Sequence, residues 1–323
     1  MRLKKKIKTV LICGATGFIG RNAVEFFATD SHYQVIALHH KNPPFQTKNV
    51  KWIRIDLLNS LEVKTVMKDV DIVIQAAAVT TGINQVFVSP EIHVTNNAIM
   101  NSIIFREAYL SKIKHLIFFS CTTMLQNSDI PASENDFDPN KEMFHKYFGS
   151  GWTKVYLEKM CEFFSRLGAT KFTVIRHSNV YGPWDKFDLL NSHVFGATIS
   201  KVMSNSKTIE IWGNGNERRD LLYITDLLEM IRLIVEKQYS NFEIFNCGGK
   251  EYVSINELVA KICKIAGKHL TIEHNLEKPN VDFSVRLDSS KAKLKLGWTQ
   301  ETDLDTGIQN TINFWRKSSS IFM

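Results

Sequence analysis

The sequence predicts an α/β protein: a doubly wound parallel sheet followed by a smaller C-terminal α/β unit. Three observations predict it. Short apolar runs alternate with helix-patterned intervals along the first half of the chain, a glycine-punctuated turn joins the first run to the first helical interval, and after Tyr181-Gly182-Pro183 the rhythm changes to polar loops.

The apolar runs Lys8–Cys13, Tyr33–Leu38, Val50–Ile55, Val70–Gln75, His115–Ser120 and Lys171–Arg176 read as strands. They are apolar nearly throughout, as strands covered on both faces must be. An amphipathic helix over Trp152–Leu167 precedes the last of them. Such β-α-β repetition implies the Rossmann fold, with its ligand crevice at the carboxyl ends of the strands. Beyond Pro183 the pattern predicts a helix over His193–Met203 and a short strand over Thr208–Trp212. Residues 1–182 are expected to form the dinucleotide-binding domain and 183–323 the smaller domain. Segments near 221–250, Tyr223–Glu236 and Phe242–Cys247 among them, are expected to return to the main sheet.

The 323 residues, 44% of them hydrophobic with 7 prolines and 16 glycines, supply enough apolar surface for a packed core and exclude collagen-like or low-complexity readings. No apolar run reaches the roughly 20 residues a membrane helix needs. The basic start MRLKKKIK leads into spaced glycines rather than a leader's apolar stretch, so a cytoplasmic protein is expected. Five widely separated cysteines, Cys13, Cys121, Cys161, Cys247 and Cys263, fit free thiols and show no metal-ligand spacing. The net charge of +7 allows an anionic partner. No nucleic-acid-binding motif accompanies it, and a phosphorylated small molecule fits as well.

The turn after the first strand reads Gly14-Ala15-Thr16-Gly17-Phe18-Ile19-Gly20. Glycines at these places allow a tight turn, close approach of backbone to a pyrophosphate, and close packing of helix on strand. At the end of the second strand, where a carboxylate would meet the ribose hydroxyls of NAD, the chain carries His39-His40-Lys41. Donors of this kind suit a 2′-phosphate, so NADP(H) is favoured and NAD(H) remains open. Asp56, with Leu57, stands where the adenine amino group is received, and Ala76-Ala77-Ala78 would let backbone approach the cofactor.

These segments, with Lys154–Arg166, Asn179-Val-Tyr-Gly-Pro, Asn191-Ser-His193-Val and Trp212-Gly-Asn-Gly-Asn-Glu-Arg-Arg219, resemble the extended short-chain dehydrogenases/reductases that act on nucleotide sugars. Within that NAD-dependent epimerase/dehydratase family the resemblance is strongest to the GDP-fucose synthase branch. It implies a tyrosine four residues before a lysine as proton donor, with the lysine holding the nicotinamide ribose. The lysine is Lys154, and the tyrosine position is Ser150. Tyr147 is the nearest substitute, able to reach inward if Gly149 and Gly151 let the chain loop.

The family hydroxyl at the end of the fifth strand falls on Cys121 without a gap, or on Thr122 with a shift of one. Thr122 is the better donor. The histidine acid of the branch falls on His193. Its cysteine base falls on Thr123 or Met124, which leaves ketone reduction better supported than epimerisation. Arg219 and Lys201 match positions that hold the substrate diphosphate, and Asn179 and Trp212 match sugar and base contacts. The resemblance therefore implies a reductase of a nucleotide-linked 4-keto sugar, acting as a homodimer. The alternatives are an epimerase that keeps its NAD(H) bound and a catalytically weak NADP-binding protein.

Overall fold

The computed structural model describes residues 7–79, 90–189, 192–278 and 281–322; Lys4, Lys5, Lys6 and Asn191 lie outside the described residues. In chain order the strands are β1 (Lys8–Cys13), β2 (Tyr33–His39), β3 (Val50–Arg54), β4 (Ile72–Gln75), β5 (His115–Ser120), β6 (Ser128–Ala132) and β7 (Lys171–His177). They continue as β8 (Asn179–Tyr181), β9 (Thr208–Trp212), β10 (Arg218–Tyr223), β11 (Phe242–Cys247), β12 (Tyr252–Ser254), β13 (Thr271–Asn275) and β14 (Val285–Leu287).

Seven strands make one sheet in the order β11-β7-β5-β4-β1-β2-β3, with every neighbouring pair parallel. The connections run outward from β1 to β2 and β3, then cross back to β4 on the other side of β1. That reversal opens a crevice above the carboxyl ends of β1 and β4, the Rossmann switch point. The observed strands differ from the expected ones only at their ends: β2 and β7 each run one residue further, β3 stops one earlier, and β4 begins two later.

Alternation along the strands sorts the core into two layers. Val10, Ile12, Ile74, Ile117, Phe119 and Ile175 belong to the core that includes helices Phe18–Ala28 and Ile224–Lys237. Leu11, Val73, Leu116, Phe118, Phe172 and Val174 pack with helices Pro90–Leu110 and Phe148–Arg166. Phe27, Phe105, Phe118 and Phe172 are fully buried, each contributing about 1.5–3 kcal/mol relative to an exposed ring. The strands β12-β10-β8, β9 with β13, and β6 with β14 form three smaller sheets. Pairing of β14 with β6 brings residues 285–287 back against 128–132, close to the carboxyl end of β5.

Candidate active site

The crevice begins at the glycine turn. Gly14 adopts a left-handed conformation, φ +69°, and a Cβ there would lie 2.6 Å from Ala77 Cα. At Gly20 a Cβ would lie 2.1 Å from the Gly14 carbonyl oxygen. These two glycines are demanded by the protein's own backbone. Gly17 differs: a Cβ there would have only the Gly14 oxygen within 4 Å, at 3.3 Å, so the space above it is open. Gly17 is also the N-cap of helix Phe18–Ala28, with no side-chain cap and no acidic residue in the first turn. Thr16, Phe18 and Ile19 flank it. An open cradle of backbone amides at a helix N-terminus fits the diphosphate of a dinucleotide.

On the outer side of the cradle, His39 Nδ1 lies 3.1 Å from the Asn42 carbonyl, and His40 and Lys41 are exposed. The Asp56 carboxylate accepts from Leu58 N at 3.0 Å, and Leu57 packs into the second core layer. Inward, along Ala76-Ala77-Ala78, the Ala76 amide donates to the Cys13 carbonyl at 3.2 Å, and amide side chains hold the backbone of Ala77 and Val79. Gln75 bonds Ala77 in both senses and Asn101 at 2.9 Å, while Asn97 Oδ1 receives Val79 N at 2.9 Å.

The other end of the crevice lies over β5 and β7. Lys154 Nζ donates to the Phe119 carbonyl at 2.8 Å and sits 4.7 Å from the centre of the Phe118 ring, which brings its ammonium over the sheet edge. Cys121 and Thr122 follow β5 directly, and Cys121 Sγ lies 3.0 Å from Thr123 Oγ1. Ser150 stands one turn before Lys154, but its hydroxyl is spent on the Tyr147 carbonyl at 3.2 Å.

The expected loop around Gly149 and Gly151 is not formed. The helix runs continuously from Phe148 to Arg166, four residues earlier than its pattern predicts. Both glycines serve close packing instead. A Cβ at Gly149 would meet Val94 Cγ2 at 2.8 Å, and one at Gly151 would meet Met143 Sδ at 2.8 Å and the Thr123 carbonyl at 3.0 Å. Tyr147 consequently caps the helix and packs its ring against Phe144 and Phe283 at 5.5 and 5.3 Å. Burial raises its pKa, Arg219 opposes that shift and Cys121 adds to it. Tyr147 is therefore a neutral phenol beside Arg219 and Cys121.

On the opposite face of β7's end stands His177, 6.1 Å from the Phe119 ring, with Nδ1 2.8 Å from the Ser178 carbonyl. Burial pushes its pKa down to about 4; the Ser178 bond opposes the shift, and Lys154 and His193 reinforce it. His193 is the N-cap of helix Val194–Ser204, its ring reachable by solvent yet crowded by protein, which with Lys186 lowers its pKa. The structure thus gathers Lys154, His193, Cys121 and Thr122 at one rim and adds His177.

The expected substrate residues line the smaller sheets. Arg219 donates to the carbonyls of Arg218 and Phe283 at 2.9 Å each and of Val281 at 3.2 Å. Lys201 Nζ donates to the Glu210 carbonyl at 2.9 Å. The ammonium groups of Lys201 and Lys278 lie 5.6 and 5.7 Å from the centre of the Trp212 ring. Asn179 Nδ2 donates to the Asp220 carbonyl at 3.0 Å.

Sequence reasoning missed His177, Asn97, Asn101 and Arg21. Asn97 and Asn101 are a helical turn apart, a spacing that signals one shared face. Arg21 directly follows the last glycine, and its guanidinium is sandwiched between Phe45 and Trp184, 4.1 and 3.1 Å from the ring centres. His177 falls between the strand expected over Lys171–Arg176 and the segment that starts at Asn179, and belongs to neither. All five cysteines are free thiols. Among the described residues no cluster of metal-ligating side chains occurs, and no helix is long and apolar enough to cross a membrane.

The chain is 26% identical over 314 residues to GDP-L-colitose synthase of Yersinia pseudotuberculosis, covering 95% of this chain and 97% of that one. It is equally similar, over 313 residues and 93% of each chain, to a GDP-L-fucose synthase of Sinorhizobium fredii. Among solved structures, UDP-glucose 4-epimerase of Thermotoga maritima superposes with a TM-score of 0.84 at 24% identity, over 96% of this chain and 99% of that one. UDP-glucuronic acid 4-epimerase of Bacillus cereus, in complex with UDP-glucuronic acid and NAD, gives 0.82 at 25% identity over 96% and 99%. The profile of the NAD dependent epimerase/dehydratase family matches residues 10–248. With the cradle at one end of the crevice and the Lys154 rim at the other, the chain belongs to the NAD-dependent epimerase/dehydratase family of enzymes.

Proposed function

We propose that the protein is an NADP(H)-dependent reductase of a nucleotide-linked 4-keto sugar, with a GDP-sugar as substrate. The observation that carries this reading is the pairing, along one crevice, of an open glycine cradle with a lysine ammonium at the end of β5. A nicotinamide dinucleotide bound in the cradle supplies hydride. Lys154 keeps a positive charge at the rim, Thr122 and the neutral Tyr147 phenol donate hydrogen bonds to the sugar oxygen, and His193 stands as a second acid. Arg219 and Lys201 offer cations to the diphosphate, and Trp212 offers an aromatic face to the base.

His39, His40 and Lys41, with no carboxylate at that strand end, support the preference for the 2′-phosphate. GDP rather than UDP is supported by the GDP-sugar relatives. NADPH oxidation followed at 340 nm with GDP-4-keto-6-deoxymannose tests the reading, and no oxidation with any GDP-4-keto sugar rejects it. The second reading, an epimerase retaining NAD(H), is favoured by the likeness to the NAD-bound 4-epimerase. Stoichiometric NAD(H) copurifying with enzyme that turns over without added cofactor would establish it.

The homodimer is proposed from a stripe on the helix Phe148–Arg166. Phe148, Trp152, Tyr156 and Phe163 are exposed along one side of it, and Ile99 and Leu110 are exposed on the helix packed beside it. Two such helices from each chain would bury these rings in a four-helix contact. Sedimentation equilibrium should give twice the chain mass, and Tyr156→Asp with Phe163→Asp should give monomer.

A further inference from the structure

The rim described above lacks a base beside the Lys154 ammonium. Ser150 has no titratable group, and burial raises the Tyr147 phenol, with Arg219 opposing the shift and Cys121 adding to it. Two titratable side chains at the rim have been given no role: Cys121, whose Sγ lies 3.0 Å from Thr123 Oγ1, and the histidine that ends β7. β7 ends in Arg176 and His177. Arg176 is turned to the helix Phe148–Arg166, where a buried bidentate pair with Glu158, Nη2 to Oε2 2.7 Å, fixes it. Strand alternation then presents His177 on the other face, with the Phe119 ring, at the carboxyl edge of the sheet.

The bond from Nδ1 to the Ser178 carbonyl settles the tautomer. A carbonyl only accepts, so Nδ1 carries the hydrogen and Nε2 keeps its lone pair. No side chain among the described residues bonds Nε2. The charged or titratable groups facing the ring are Lys154, from the helix across the edge, and His193, from the start of the helix Val194–Ser204. Both disfavour a second positive charge, so the ring is a neutral acceptor.

We infer that His177, through Nε2, takes and returns the proton of the sugar hydroxyl that is interconverted with the carbonyl. This rests on the proposed function for its substrate. In the alcohol-to-ketone direction the O–H bond breaks, the proton bonds to the Nε2 lone pair, and the O–H electron pair becomes the carbonyl π bond. The carbon's hydride leaves to an oxidised nicotinamide dinucleotide. Reduction reverses each transfer, Nε2–H giving its proton to the oxygen.

The test uses full-length His177→Asn, which keeps a donor for the Ser178 carbonyl and removes the base, beside Tyr147→Phe. Selective nitrogen-15 histidine NMR, assigned by the peak missing in H177N, follows Nε2 as GDP-mannose or UDP-glucose is added to enzyme saturated with NADP+. The Nε2 resonance should move with one of the two sugars. In kinetics, H177N should lower kcat about 100-fold or more, with the NADPH dissociation constant unchanged within threefold. Wild-type kcat should rise with pH through an acidic inflection in the oxidising direction and fall in the reducing one, and both inflections should vanish in H177N. An Nε2 resonance unmoved by either sugar, or H177N turning over within a few-fold of wild type, overturns the inference. If wild type turns over no GDP-sugar, the functional reading fails by itself and the NMR titration still decides His177.

Discussion

The two ends of one crevice are built by different means. The cradle is a single continuous segment, residues 14–20, whose shape is forced by close backbone: Gly20 against the Gly14 carbonyl within the segment, and Gly14 against Ala77 just after β4. The Lys154 rim, where we propose the chemistry, draws Cys121 and Thr122 from the end of β5, Lys154 from a helix, His177 from the end of β7 and His193 from the start of another helix. A contiguous element can be read from spacing, whereas an assembled one depends on how the sheet brings distant segments into register.

That contrast makes its largest prediction within the cradle. Gly20→Ala places a Cβ on a carbonyl oxygen that the turn cannot move, and should cost about 3 kcal/mol or more together with dinucleotide binding. Gly17→Ala meets almost nothing in the protein and sits at the head of a helix. Its stability should stay within about 1 kcal/mol of wild type. Its NADPH affinity should nevertheless fall at least about tenfold, since the added methyl stands where the ligand must approach. Denaturant melts beside fluorescence titrations of NADPH separate the two, and equal behaviour of the two variants would remove the distinction between structural and ligand-facing glycines.

At the rim, the corresponding change is Lys154→Met, which keeps the length of the stem and discards the ammonium. Turnover should fall about 100-fold or more, while the melting temperature changes little, because the bond lost is one partly exposed contact to the Phe119 carbonyl. Steady-state kinetics at saturating NADPH measure it. A thermal collapse in place of a kinetic loss would mean that Lys154 holds the sheet edge rather than the chemistry.

The sheet was legible because its strands are apolar on both faces, and only their ends moved, where the backbone leaves the ladder at polar residues such as Arg54 and His39. Gly149 and Gly151 misled. Glycine near a helix start signals either a loop or close packing, and only the neighbours, Val94, Met143 and Thr123, decide between them. His177 was hidden for a related reason. Nothing local marks it, and its meaning comes from Arg176 being claimed by Glu158 on the other face. The amides of Asn97 and Asn101 were likewise silent, since the groups they hold, the Val79 backbone and the Gln75 side chain, lie 18 and 26 residues away in sequence.

A smaller effect compares the two rims of the sheet through their histidines. His115, at the opposite end of β5 from the site, is buried with Nε2 2.7 Å from Thr173 Oγ1, and burial pushes its pKa down to about 3, with Lys171 and Lys8 adding to it. The unfolded chain binds a proton at this residue below about pH 6.5, and the folded chain refuses it until near 3. Its influence on stability is therefore flat above pH 6.5, and the fold weakens as pH falls below it, by at most about 1.4 kcal/mol per unit. His115→Asn should flatten that acid limb in pH-dependent melts while lowering the plateau slightly. His177 should contribute a similar but shorter limb, ending near pH 4.

The smallest expected change is Tyr147→Phe. The ring contacts with Phe144 and Phe283 survive the loss of the hydroxyl, so stability should shift by less than about 1 kcal/mol. A neutral phenol that only donates a hydrogen bond to the sugar oxygen contributes about 1 kcal/mol, so turnover should drop roughly five- to tenfold with the pH profile unmoved. A larger loss, accompanied by an alkaline inflection that disappears with the hydroxyl, would return the proton to Tyr147. The difference between the two ends of the crevice would then be one of residue placement alone, with the chemistry carried by the same kind of group as when a tyrosine stands four residues before the lysine.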